Sequence, residues 1–136
     1  MGVRVEAIYE GDLICRAIHG PSGDAMLTDA PTDNQGRGRH FSPTDLVGTS
    51  MITCMMTIMG IAARVRGWKI EGTRGEVIKE MSAVPRRHIA RLSVTITLPP
   101  GVPAAARPVL EAAALGCPVK ASLGPDTVVD VEFVYA

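Results

Sequence analysis

The sequence predicts an α+β fold in which an antiparallel sheet packs around one long buried helix. Short alternating runs, separated by turns rich in Gly, Pro and Asp, follow one another as consecutive hairpins, and such strands pair antiparallel. Among them lies one apolar run, residues 42–67, with a helix start, a helix stop and almost no polar face. The 136 residues are expected to form a single domain, 1–136, long enough to bury a real core.

Residues 3–9 alternate as VRVEAIY and predict a strand, with Glu10, Gly11 and Asp12 turning the chain into a second strand over 13–19. A turn over 20–24 leads to a short third strand, 25–28. Residues 29–40, DAPTDNQGRGRH, are polar and Gly-rich without periodicity, and long loops in compact domains often carry function. In the helix, Ser42 suits the N-cap and Pro43 the first position, where its missing N–H costs nothing. Asp45 completes an S-x-x-D capping box at the positive end of the helix dipole. Arg64 and Arg66 complement the other end, and Gly67 can take the left-handed stop.

Residues 68–80 predict one bent strand with a bulge near Gly72 and Gly75. Pro85, Arg86 and Arg87 mark a turn before the alternating strand IARLSVTITL, 89–98. Pro103 opens a second helix running to Leu115, with Pro108 early enough to be tolerated, and Gly116 stops it. Pro118 opens a short helix to Leu123, and residues 127–135 form the last strand.

Lys plus Arg and Asp plus Glu number 14 each, for a net charge of zero. That balance gives no reason to expect nucleic acid or an anionic membrane as partner, and it suits a chain that hides surface in an oligomer. The apolar run is long enough to span a membrane, but Gly48, Thr49, Ser50, Thr53, Thr57 and Gly60 dilute it. It also lacks a basic flank on its N-terminal side and a second span. No membrane association is expected. Three cysteines without a secretion signal do not resemble a disulfide framework, so a cytoplasmic location is expected. His19, His40 and His88 show no metal-ligand spacing with the cysteines, and no metal or cofactor is expected. The glycines of QGRGRH lack the strand–turn–helix context of a phosphate cradle.

Cys54 lies mid-helix among Met and Ile, where a free cysteine ordinarily serves as a small buried hydrophobe. Cys117 precedes a Pro-initiated helix, a place where helix N–H groups can stabilise a thiolate or where the residue simply caps. Cys15 sits in an alternating strand and is assigned no role.

The run FSPTDLVGTSMITC, followed by LGCPVKASL, resembles the OsmC/Ohr family of organic hydroperoxide reductases and their relatives. The segments YEGDL and TDAP fit the N-terminal hairpins of that family, so the resemblance covers nearly the whole chain. It implies an OsmC-like fold, an intertwined homodimer with thiol sites at the subunit interface, Cys54 as the peroxide-attacking thiol and Cys117 as the resolving thiol. It further implies an organic hydroperoxide as substrate and an external dithiol as reductant. In the well-studied reductases an arginine, held by a glutamate just after the helix-opening proline, activates the attacking thiol. Thr44 stands at that glutamate position here and Asp45 follows, about 100° further round the helix. Arg37 and Arg39, like Arg16, are the arginines available, with Asp45 as a further auxiliary residue. The pattern is closer to the less characterised OsmC-like branch, which leaves a second expectation open: a non-catalytic dimer binding an apolar small molecule in the interface cavity.

Overall fold

Local chemistry sets the ends of the strands and helices in this computed structural model, which describes residues 1–136. The chain folds as two compact units, Met1–Leu46 and Val47–Ala136.

In the first unit, β1 (Val5–Gly11), β2 (Ile14–His19) and β3 (Ala25–Asp29) pair antiparallel in the order 1-2-3. The β1–β2 connection is the two residues Asp12 and Leu13, with φ of 53° and 65°. Two left-handed residues match the twist of a hairpin, but the pair is usually Asn-Gly and a leucine there is strained. Arg39 secures the turn, its Nη2 donating to the Asp12 carbonyl at 3.0 Å and its Nη1 to Asp12 Oδ2 at 3.1 Å. The segment 30–41 is therefore an ordered loop with one 3-10 turn, Thr32–Asn34. Gly36 is needed in it, because a Cβ would fall 1.7 Å from the Ala30 carbonyl oxygen. Although apolar, Val5, Ile8 and Tyr9 of β1 stay exposed.

Helix α1, Pro43–Arg66, starts as its sequence predicts. Ser42 N donates to Asp45 Oδ2 at 2.9 Å and Asp45 N to Ser42 Oγ at 3.0 Å, a reciprocal capping box. Its end is a Schellman stop: Gly67, at φ 73°, donates to the Arg64 carbonyl, and Trp68 N donates to the Ala63 carbonyl at 3.0 Å.

The second unit contains β4 (Arg74–Ser82), β5 (His88–Leu98) and β6 (Val128–Tyr135) in the order 4-5-6. Strands β4 and β5 are antiparallel, as expected, but β6 runs parallel to β5. The reason is the crossover through α2 (Arg107–Leu115) and α3 (Pro118–Ala121), which returns the chain to the end of the sheet where β5 began. The single bent strand expected over 68–80 is also corrected. Residues 68–73 form a turn, closed by Thr73 N and Oγ1 donating to the Ile70 carbonyl, and the register irregularity lies between Glu80 and Met81. Gly75 has a different task, since a Cβ there would lie 2.5 Å from Ile52 Cδ1 and 2.7 Å from Met56 Sδ. It lets β4 lie close against α1.

The core joins Met51, Met55, Met59 and Ala63 of α1 to Leu92, Val94, Ile96 and Leu98 of β5, Leu110 and Ala114 of α2, and Cys117. The spacing of the α1 residues makes one stripe, and the helix is not buried all round: Ile61 is 53% and Val65 77% exposed. A three-stranded sheet and short helices cover one face of α1, whatever the composition of the other. By length and composition α1 could cross a membrane, yet its buried stripe is the core of this unit.

Candidate functional site

Cys54 sits one residue from the fully buried Met55 and is itself half-buried. Cys117 is 1% exposed and is fixed by its backbone on both sides. Its N–H donates to the Ala114 carbonyl at 3.2 Å, and its carbonyl accepts from Ala121 N at 3.1 Å. The sharp stop of α2 at Gly116 and the immediate restart at Pro118 place the Cys117 side chain within hydrogen-bonding reach of Cys54. The backbone N–H of Val119, on α3, also reaches Cys54. Two thiols far apart in sequence thus meet at one point, and both are free.

Burial pushes the Cys54 thiol above its ordinary pKa; the Cys117 side chain raises it further, and the Val119 N–H opposes both. Cys54 is therefore a protonated thiol at neutral pH in this chain. The helix-start argument for Cys117 finds little to work with, because α3 is only four residues long and the thiol caps none of its N–H groups.

The auxiliary residues lie in the first unit, each with a defined position. Asp45 holds the N-cap of α1. Arg39 is engaged by Asp12 and by Asp29, whose Oδ2 accepts from Arg39 Nε at 2.8 Å and from Arg39 N at 3.1 Å. Arg37 is exposed on the same loop. Cys15 lies in β2, flanked in register by Tyr9 and Thr28.

Sequence reasoning missed Asp29. Its side chain is fully buried, and the hydrogen bonds from Arg39 outweigh that burial, holding its carboxyl down to about 2. The only signal was a lone acid at the end of a strand, without periodicity to mark it. Tyr135 was missed too. Its hydroxyl donates to Glu111 Oε2 at 2.7 Å under the Arg107 guanidinium, 4.3 Å from the ring centroid. Burial and the Glu111 carboxylate push that phenol up to about 12, so it ties β6 to α2 without titrating near neutrality.

Chemically, the Cys54–Cys117 pair can exist as two thiols or, after oxidation, as a disulfide.

Residues 36–132 match the family model for OsmC-like proteins. Among solved structures, the chain resembles a protein of Psychrobacter arcticus 273-4, described as an osmotic stress induced and detoxification response protein. The identity is 42%, covering 95% of this chain and 93% of that one, with a TM-score of 0.89. The OsmC-like protein of Mycoplasma pneumoniae superposes with a TM-score of 0.82 at 12% identity, over 100% and 98% of the two chains. An organic hydroperoxide resistance protein, OsmC, of Legionella pneumophila gives 0.75 at 15%, over 98% and 97%. These last two likenesses concern the fold alone. No curated protein matches the sequence.

Proposed function

Since the chain belongs to the OsmC-like protein family, we propose that it is a thiol-dependent peroxidase that reduces organic hydroperoxides. The observation that carries this reading is the meeting of Cys54 and Cys117 in an apolar setting. The Cys54 thiolate attacks the terminal peroxide oxygen. An S–O bond forms, the O–O bond breaks, and the alkoxide leaves to be protonated to the alcohol. The Cys117 thiol then attacks the Cys54 sulfenic acid, forming the disulfide and releasing water. An external dithiol reduces the disulfide by exchange and is itself oxidised to a disulfide. The residues 1–136 act as one domain within a homodimer, in the cytoplasm, where thiols are kept reduced. Exposed apolar side chains on β1 and on α1, among them Val5, Ile8, Tyr9, Ile61 and Val65, support the dimer.

The raised pKa of Cys54 has a kinetic consequence. The thiolate fraction at pH 7 is small, so the peroxidase rate climbs through and beyond the ordinary cysteine range instead of reaching a plateau near neutrality. The test is consumption of cumene hydroperoxide by the reduced protein with dihydrolipoamide, beside Cys54→Ser and Cys117→Ser. The reading expects turnover that Cys54→Ser abolishes, and with Cys117→Ser a single oxidation that stops at the sulfenic acid. Absence of turnover in the native protein, with Cys54 unmodified, would overturn it. What would remain is the second reading, a non-catalytic member that binds an apolar molecule, which the protonated Cys54 favours.

A further inference from the structure

Helix α3 has Cys117 as its N-cap and Pro118 at its first position. An N-cap side chain ordinarily accepts from the second or third helical N–H, here that of Val119 or Lys120. Cys117 accepts from neither. Proline has no N–H to offer, and the Ala121 N–H is already given to the Cys117 carbonyl at 3.1 Å. The first donor that this turn presents is therefore the Val119 N–H, and it reaches the sulfur of Cys54. A thiol on α1 thus takes the acceptor place that the cap residue leaves empty. We propose that the Val119 main-chain N–H is the group that holds the Cys54 thiolate as it forms and attacks. The catalytic role rests on the peroxidase reading, whereas the hydrogen bond itself does not.

Two observations support this assignment. The first is the balance of forces on Cys54. Burial and the Cys117 side chain both oppose the thiolate, and of the groups acting on this sulfur the Val119 N–H alone favours it. Arg39, the arginine with the most contacts on the 30–41 loop, is committed to Asp12 and Asp29. The second is rigidity. The donor belongs to a backbone tied on both sides of Cys117, by the Cys117 N–H to the Ala114 carbonyl and by the Ala121 N–H to the Cys117 carbonyl. A donor fixed in advance needs no rearrangement when charge develops on the sulfur. Four residues build almost no helix dipole, so the effect is that of one charge-assisted hydrogen bond. No proton is transferred along it: the N–H keeps its proton, and the thiol gives its own to solvent.

Gly116–Cys117 is a suitable junction for native chemical ligation, so a synthetic 117–136 segment can carry α-hydroxyisovalerate in place of Val119. That exchange turns the amide into an ester, deleting the N–H while keeping the side chain. The ligated native sequence is the reference, and Val119→Ala, which retains the N–H, is the control. Val119→Pro is a second, genetically encoded deletion, in the first helical turn, where proline is tolerated. Circular dichroism verifies that each protein is folded. The readout is the iodoacetamide rate at Cys54 against pH, followed by peptide mass spectrometry. It needs no peroxide, so missing turnover in the native protein is a failure of the peroxidase reading alone. Without the N–H the rate at pH 7 is expected to fall about tenfold, and the curves should converge at high pH, where the thiol is ionised in every variant. Val119→Ala should stay within about twofold of the reference. A rate unchanged by the ester, or one changed by the same factor at every pH as altered access would give, overturns the proposal.

Discussion

Adding one methyl group at Gly75 is the sharpest test of how β4 packs on the helix that carries Cys54. An alanine Cβ would stand 2.5 and 2.7 Å from Ile52 Cδ1 and Cγ1 and 2.7 Å from Met56 Sδ, all well inside van der Waals contact. These atoms belong to flexible side chains, so they move aside without breaking the backbone. Ile52 is nearly buried and its neighbour Met51 wholly so, and little free space is available to receive them. Overpacking of this kind costs about 1–3 kcal/mol, partly offset by the roughly 0.5–1 kcal/mol that alanine gains over glycine in the unfolded chain. The expected net loss is about 1–2 kcal/mol, or roughly 2–8 °C in melting temperature for a chain of this size. Calorimetry or urea titration measures it. Gly124→Ala, where a Cβ meets nothing within 4 Å and φ is ordinary, serves as control and should shift stability by less than about 0.5 kcal/mol. Ile52→Val removes Cδ1, the closest atom, and should recover part of the loss in the double variant, giving a coupling energy on the order of 1 kcal/mol. If Gly75→Ala matched the native protein, or if the two substitutions were additive, the close approach of β4 to α1 would be wrong.

Other consequences follow from the same structure. Leu13→Gly relieves a left-handed leucine in the β1–β2 turn and should raise stability by about 0.5–1 kcal/mol, read as a higher urea midpoint. Asp29 is depressed from 3.8 to about 2 in the folded protein. Its contribution is therefore complete above about pH 4 and is lost as pH falls toward 2. Asp29→Asn should lower the urea midpoint at pH 6, and the gap should close by pH 2; a gap independent of pH would contradict the Arg39–Asp29 pairing. Cys54, raised by burial, should react with iodoacetamide more slowly at pH 7 than a free thiol, its rate still climbing past the ordinary cysteine pKa. A plateau below pH 7 would show a stabilised thiolate and contradict the raised thiol.

The limits of the long helix were legible because they rest on neighbouring residues alone: Ser42 and Asp45 cap each other, and Gly67 supplies the stop. The alternation of β5 was legible for the same reason, since its core-facing Leu92, Val94, Ile96 and Leu98 fall on every second residue. The direction of β6 was not, because its own pattern suits either pairing and the α2–α3 crossover decides between them. Nor could composition reveal that α1 buries only one stripe. An apolar side chain looks the same in a sequence whether its own core covers it or not. Arg39 was visible as one arginine among several, while its commitment to Asp12 and Asp29 is tertiary. The cysteines were assigned by resemblance to the OsmC/Ohr family. Their meeting depends on the turn at Gly116–Pro118, which no spacing rule predicts.

The central claim is that Cys54 and Cys117 form one redox pair. The most direct measurement is peptide mass spectrometry of the reduced protein after one equivalent of cumene hydroperoxide. The account predicts a disulfide joining the Cys54 and Cys117 peptides, with Cys15 still free. Reduced thiols at both positions, or a disulfide that recruits Cys15 instead, would contradict it.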